Sequence, residues 1–106
     1  MNEKELFNKA YNLVKNKKTW MQKWFAKDSN GNDCRGMSPD AVCWCSIGAL
    51  EKFMPDTYSN PVYANVLAAF AKHLPINRTL SAFNDRMPHD TVVALWLQVG
   101  KTEGWL

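Results

Sequence analysis

The stretch Ala41-Val-Cys-Trp-Cys-Ser-Ile-Gly-Ala-Leu50 has almost no polar face. Ten residues that offer nothing to water must be covered on every side, and the rest of a short chain has to supply the cover. Read as a helix, the stretch begins at Ser38-Pro39, where Pro suits a first helical position, and stops before Pro55. The sequence therefore predicts a buried central helix over about 39–54, hidden from water throughout Val42–Leu50. Gly48 and Ala49 would let a neighbouring element approach it closely.

The covering elements are amphipathic. A first helix over about 3–16 has Asn2 as its cap, Glu3 and Glu5 at the positive end of its dipole, and a stripe of Leu6, Ala10, Leu13 and Val14. Asn60-Pro61 opens a third helix that runs to about Leu74, striped by Tyr63, Val66, Leu67, Phe70 and Leu74. Met87-Pro88 opens a fourth, with Val92, Leu95, Trp96 and Val99 on one face and Gly100 as its stop. A short helical turn near 79–83 precedes it. The segment Trp20–Gly36 admits two readings. Trp20, Met21, Trp24 and Phe25 suit a helix face, whereas Asp28-Ser-Asn-Gly-Asn-Asp33 is a turn cluster that would join the arms of a hairpin. Together these elements predict one mainly α domain over 1–106: a compact four-helix domain with a buried central helix and a small β-hairpin or irregular hairpin after helix 1.

Composition limits the class. Hydrophobic residues are 46% of the chain, and five Trp and five Phe can anchor a core without staples. Three Cys, behind a polar amphipathic opening rather than a secretory leader, point to a cytoplasmic protein with free thiols. No apolar run approaches the roughly 18–20 residues that a membrane span needs. The net charge of +3 is unevenly spread, with eight Lys/Arg and four Asp/Glu in residues 1–36. That favours a weak attraction to phosphates or an acidic protein and falls short of a nucleic-acid-binding composition.

An ordered set of motifs carries a resemblance. Trp20 is followed by Ala26-Lys-Asp28-Ser-Asn-Gly31, then Ser38-Pro-Asp-Ala41, then Trp44-Cys45-Ser-Ile-Gly48-Ala49-Leu50, and later by Phe83-Asn84-Asp85. In that order and spacing the chain resembles a family of small proteins of unknown function found in actinobacteria and bacteriophages. The resemblance implies the hairpin rather than the helix for 20–35. It carries over no activity. Two positions depart from its pattern: Lys23 stands where a small residue is expected, and Phe83 where a Trp is expected.

Several residues invite chemistry. Cys45 with Asp85 or Asn84 and His89 has the residue types of a thiol enzyme, namely nucleophile, base and orienting group. A Cys in the middle of an apolar helix is a poor nucleophile, because burial disfavours the thiolate. Cys43 and Cys45, two apart on a helix, would point to opposite sides and share no metal, so neither a metal nor a cofactor is expected. Asn84-Asp85 reads first as a structural pair that fixes the entry of the last helix, and second as the polar floor of a ligand pocket. Asp28–Asp33 lacks the ligand alternation of a calcium loop and reads as a turn. Lys17, Lys18, Trp20, Lys23 and Trp24, within the basic-aromatic stretch Lys15–Lys27, form a candidate partner surface that could also stack and neutralise nucleic acid. Trp105-Leu106 would pack on its own domain or on a second copy. The expectation is a small non-enzymatic binding protein, a phage or bacterial accessory factor that occupies a host or defence protein or sequesters a small ligand. A thiol enzyme and a weak nucleic-acid binder are the alternatives.

Overall fold

In the computed structural model, which describes residues 1–56 and 59–106, α1 spans Glu3–Val14. Asn2 caps it, its side-chain oxygen accepting the Glu5 N–H at 2.9 Å, and Leu6, Phe7, Ala10 and Val14 are buried. A turn follows, in which the Thr19 hydroxyl donates to the Leu13 carbonyl at 2.6 Å.

The hairpin reading holds for the next segment. β1 (Ala26–Asp28) and β2 (Asp33–Cys34) pair antiparallel, and β3 (Ala41–Trp44) pairs with the other side of β1, giving the order β2-β1-β3. Gly31 sits at φ 80 in the turn, and one Asp28 carboxylate oxygen accepts the N–H groups of Asn30 and Asn32, both at 2.9 Å. That carboxylate is the organiser of a turn.

β3 corrects the predicted central helix. Residues 41–44 are a strand, and the helix that follows, α2 (Ser46–Phe53), is half the expected length. The physical reason lies on both edges of the strand. β1 pairs with one side, while on the other the Trp44 N–H donates to Thr19 O at 2.8 Å and the Met21 N–H donates to Trp44 O at 3.0 Å. Ser38-Pro39 belongs to the turn before the strand, where the Ala41 N–H donates to Ser38 O. The expectation of full burial also fails at Val42, Cys43 and Ile47. Val42 is 46% exposed, because a strand turns alternate side chains outward. Trp44, Cys45, Ser46, Gly48, Ala49 and Leu50 are buried as expected.

Two glycines explain how the sheet sits on α2. A Cβ on Gly48 would stand 1.8 Å from the Phe25 carbonyl oxygen, and one on Gly36 would stand 2.1 Å from that of Gly48. Three backbone segments are therefore in direct contact. Buried Glu51 locks the corner by accepting the Gly36 N–H at 2.7 Å and pairing with the Arg35 guanidinium.

The remaining helices complete the cover. α3 (Pro61–Ala71) starts as predicted, with Asn60 capping and Pro61 first, and ends one turn early. The short turn near 79 is a helix, α4 (Leu80–Arg86), capped by Thr79. It brings the helices among the described residues to five, one more than predicted. α5 (His89–Glu103) runs past Gly100 and stops at Gly104, which has φ 74. Gly100 instead makes room for the returning C-terminus: a Cβ there would stand 2.5 Å from the Leu106 side chain, and the Trp105 ring packs tilted against Phe7 at 5.3 Å. Trp105 thus packs on its own domain. The core centres on fully buried Trp96, with Phe70 at 4.7 Å and Phe7 at 5.2 Å. Among the described residues no helix is long and apolar enough to cross a membrane.

Gly48→Ala tests the sheet-on-helix contact, since Ala is at least as good a helix former as Gly. The clash with Phe25 O should cost about 3 kcal/mol or more in urea denaturation. A variant as stable as the wild type would show that the backbones can part.

Candidate functional site

The polar centre of the molecule is Asn84, placed on α4 and fully buried. Its side-chain oxygen accepts three hydrogen bonds: from the Trp20 indole N–H at 2.8 Å, the Ser46 N–H at 3.0 Å and the Ser46 hydroxyl at 2.8 Å. Its amide donates to Met21 O at 3.0 Å and to an Asp85 carboxylate oxygen at 3.3 Å. The Trp96 indole N–H donates to the Ser46 hydroxyl at 3.0 Å, which carries the network into α5. Every donor and acceptor of the Asn84 side chain is thereby used.

Asp85 acts on the same segment from outside. The oxygen that receives the Asn84 amide also accepts the Lys23 N–H at 2.9 Å, and the Gln22 side chain donates to the carbonyls of Asn84 and Met87. Residues 20–23 are thus clamped to α4. Within the clamp, Lys23 adopts φ 82. A residue with a Cβ adopts this conformation only at a steric cost, which glycine alone avoids.

The thiol-enzyme grouping is not assembled. Cys45 is the N-cap of α2, not a mid-helix residue, and its Sγ accepts the Gly48 N–H at 3.3 Å. A helix N-terminus favours a thiolate, yet burial outweighs it. With Cys45 only 3% exposed, desolvation pushes the thiol up from 9.0 to about 11, and nearby Asp85 and Glu51 push the same way. His89 is engaged elsewhere, its Nε2 lying 2.7 Å from the Val14 carbonyl and its ring 4.9 Å from that of Trp20. Cys43 lies on β3, half-buried. Among the described residues no three His, Cys, Asp or Glu are placed to hold a metal ion.

Two cavities flank the exposed Ser81 of α4. The smaller, about 200 Å³, is lined by Lys23, Trp24, Phe25, Cys45 and Ser81. The larger, about 300 Å³, lies between α2, α3 and α4 and is bordered by Ile47, Leu67, Ala71, Leu74, Arg78 and Ser81. Asn84, Asp85 and His89 line neither. Of the candidate partner surface, Lys23 and Trp24 reach the smaller cavity, and Trp24 is 46% exposed against Phe25. Trp20 instead turns its indole N–H inward, and Lys17 and Lys18 stand exposed in the turn after α1. Phe25 falls within the basic-aromatic stretch, whereas nothing in the sequence singles out Arg78 or Ser81 as lining residues. Leu67 on α3 and Leu74 just beyond it, read from the sequence as core stripe, are only half-buried and border the larger cavity.

These features define a helix-rich domain with a three-stranded antiparallel sheet, clasped by one buried asparagine and bearing an apolar cleft beside it. The chain belongs to DUF6197, a family of unknown function, over residues 1–101. No curated protein and no solved structure matches it.

Cys45 gives a direct check on the site's chemistry. At pH 8 a thiol with its proton held to about 11 is roughly one part in a thousand thiolate. Iodoacetamide followed by mass spectrometry should label Cys34 and Cys43 first and Cys45 only on unfolding. Because the folded state keeps this proton where the unfolded chain releases it, stability should fall as pH rises between 9.0 and about 11, by about 2–3 kcal/mol. Cys45→Ala should remove that slope. Rapid native labelling of Cys45 would contradict the burial argument.

Proposed function

We propose that the protein is a small non-enzymatic binding protein that works by holding a segment of another protein in the cleft around Ser81. The observation that carries this reading is the pair of adjoining cavities on either side of one exposed serine, lined mainly by apolar side chains. Size decides between a protein and a small ligand. Sites for drug-sized molecules enclose about 300–1,000 Å³. Here one cavity only reaches that range and the other falls below it. Volumes of this kind suit single side chains projecting from a chain that runs across both. Exposed Trp24 at the rim fits the aromatic anchors common in protein interfaces.

On this reading the protein is a bacterial or bacteriophage accessory factor that acts in the cytoplasm on a host or defence protein. A thiol enzyme finds less support, since Cys45 lacks both a thiolate and a base at hand. So does a nucleic-acid binder, since Trp20 is committed to Asn84.

Ser81→Trp tests the cleft. Ser81 is exposed and makes no side-chain hydrogen bond among the described residues, so the variant should melt within about 3 °C of the wild type, as surface substitutions do. A tagged wild-type protein should retain a partner from bacterial lysate that Ser81→Trp does not. Equal retention by both would remove the cleft from the account.

A further inference from the structure

Lys23 is the one described lysine with a positive φ, and it borders the smaller cavity. Among the described residues the only other non-glycine in this region of conformation is Asn77, a residue type that tolerates it. For lysine the conformation is unfavourable. It persists because Asp85 accepts the Lys23 N–H and Gln22 is tied to α4. A glycine would make the same backbone bond without strain. What lysine adds is its side chain, placed at the mouth of the cleft and exposed. Strain retained where a side chain meets a cavity points to a functional demand.

Charge gives that demand a direction. Arg78 borders the larger cavity, so a cation stands beside each of the two cavities that meet at Ser81. Among the described residues neither the Lys23 ammonium nor the Arg78 guanidinium is in an ion pair, and no Asp or Glu lines either cavity. One carboxylate oxygen of Asp85 is taken by the Lys23 N–H and the Asn84 amide.

Resting on the binding reading above, we propose that Lys23 and Arg78 are specificity-determining residues, and that the cleft selects a partner segment with apolar side chains flanked by acidic residues. Lys23 is held in its strained conformation to present the charge that reads one of those flanks.

A phage-displayed random dodecapeptide library is the probe, panned on the full chain at low salt with Ser81→Trp as the cleft-filled control. The wild type should enrich peptides that pair apolar residues with flanking Asp or Glu. Replacing those acids by Asn and Gln in a synthetic consensus peptide should weaken binding about fivefold. Lys23→Arg, which keeps charge and strain, should preserve the acidic preference, and Lys23→Gly with Arg78→Ala should lose it. Lys23→Gly alone should melt at the wild-type temperature or up to about 5 °C higher, because the strain is relieved. Enrichment of apolar peptides without acidic flanks, or an acidic preference unchanged in the double variant, overturns this proposal and leaves the binding cleft standing. A clear loss of stability in Lys23→Gly also overturns it, since the lysine would then be a structural residue. Failure to enrich anything beyond the Ser81→Trp control overturns the cleft itself.

Discussion

The Asn84 side chain is fully buried, and its hydrogen bonds tie α4 to two distant parts of the chain and, through one of them, to a third. Trp20 and Met21 belong to the segment before the hairpin, Ser46 opens α2, and Trp96, through Ser46, belongs to the core of α5. A single intramolecular hydrogen bond contributes about 1 kcal/mol net, but a buried donor or acceptor left without a partner costs about 1–3 kcal/mol. With two indole N–H groups, a hydroxyl and a main-chain N–H converging here, the penalty for an ill-fitting arrangement far exceeds the gain of any one bond. The network therefore specifies how α2, α4, α5 and residues 20–21 are placed, more than it adds to their adhesion.

That joint and the cleft share the segment that leads into the hairpin. Asn84 and Asp85 look inward and sideways, at the segment they clamp, and leave the cleft to residues the clamp positions. Holding residues 20–23 against α4 sets Lys23 and Trp24 beside Ser81 and brings the Phe25 carbonyl down onto Gly48. Cys45 is sealed by the same arrangement. It caps α2 as a protonated thiol with its sulfur against the first-turn N–H groups, a structural role that burial makes incompatible with nucleophilic work. The cleft thus takes its shape from the interior and its chemistry from a few residues at the rim.

Local signals in the sequence were readable where the deciding physics is local. Asn2 and Asn60 cap their helices, Pro61 starts one, and the Asp28–Asp33 turn folds on its own carboxylate. The run from Ala41 reads as a helix although it opens as a strand, because a short apolar stretch has the same composition in both. What makes Ala41–Trp44 a strand is pairing with β1 and with Thr19–Met21, and neither partner can be seen from within the run. Gly100 looked like a stop because its true neighbour, Leu106, arrives only through tertiary packing. The site was partly legible. Lys23, Trp24 and the Asn84-Asp85 pair stood out, but Ser81 and Arg78 become cleft residues only when α2, α3 and α4 meet, and no periodicity announces that.

The placement of Asn84 is most directly measured by hydrogen exchange of its side-chain amide, followed by NMR across a series of sub-denaturing urea concentrations. If this carboxamide is the buried joint, its protons exchange only when the whole domain opens, with the same urea dependence as the slowest core amides. Exchange that is fast and indifferent to urea would place the amide in contact with water, and the account of a closed joint beside an open cleft would fail.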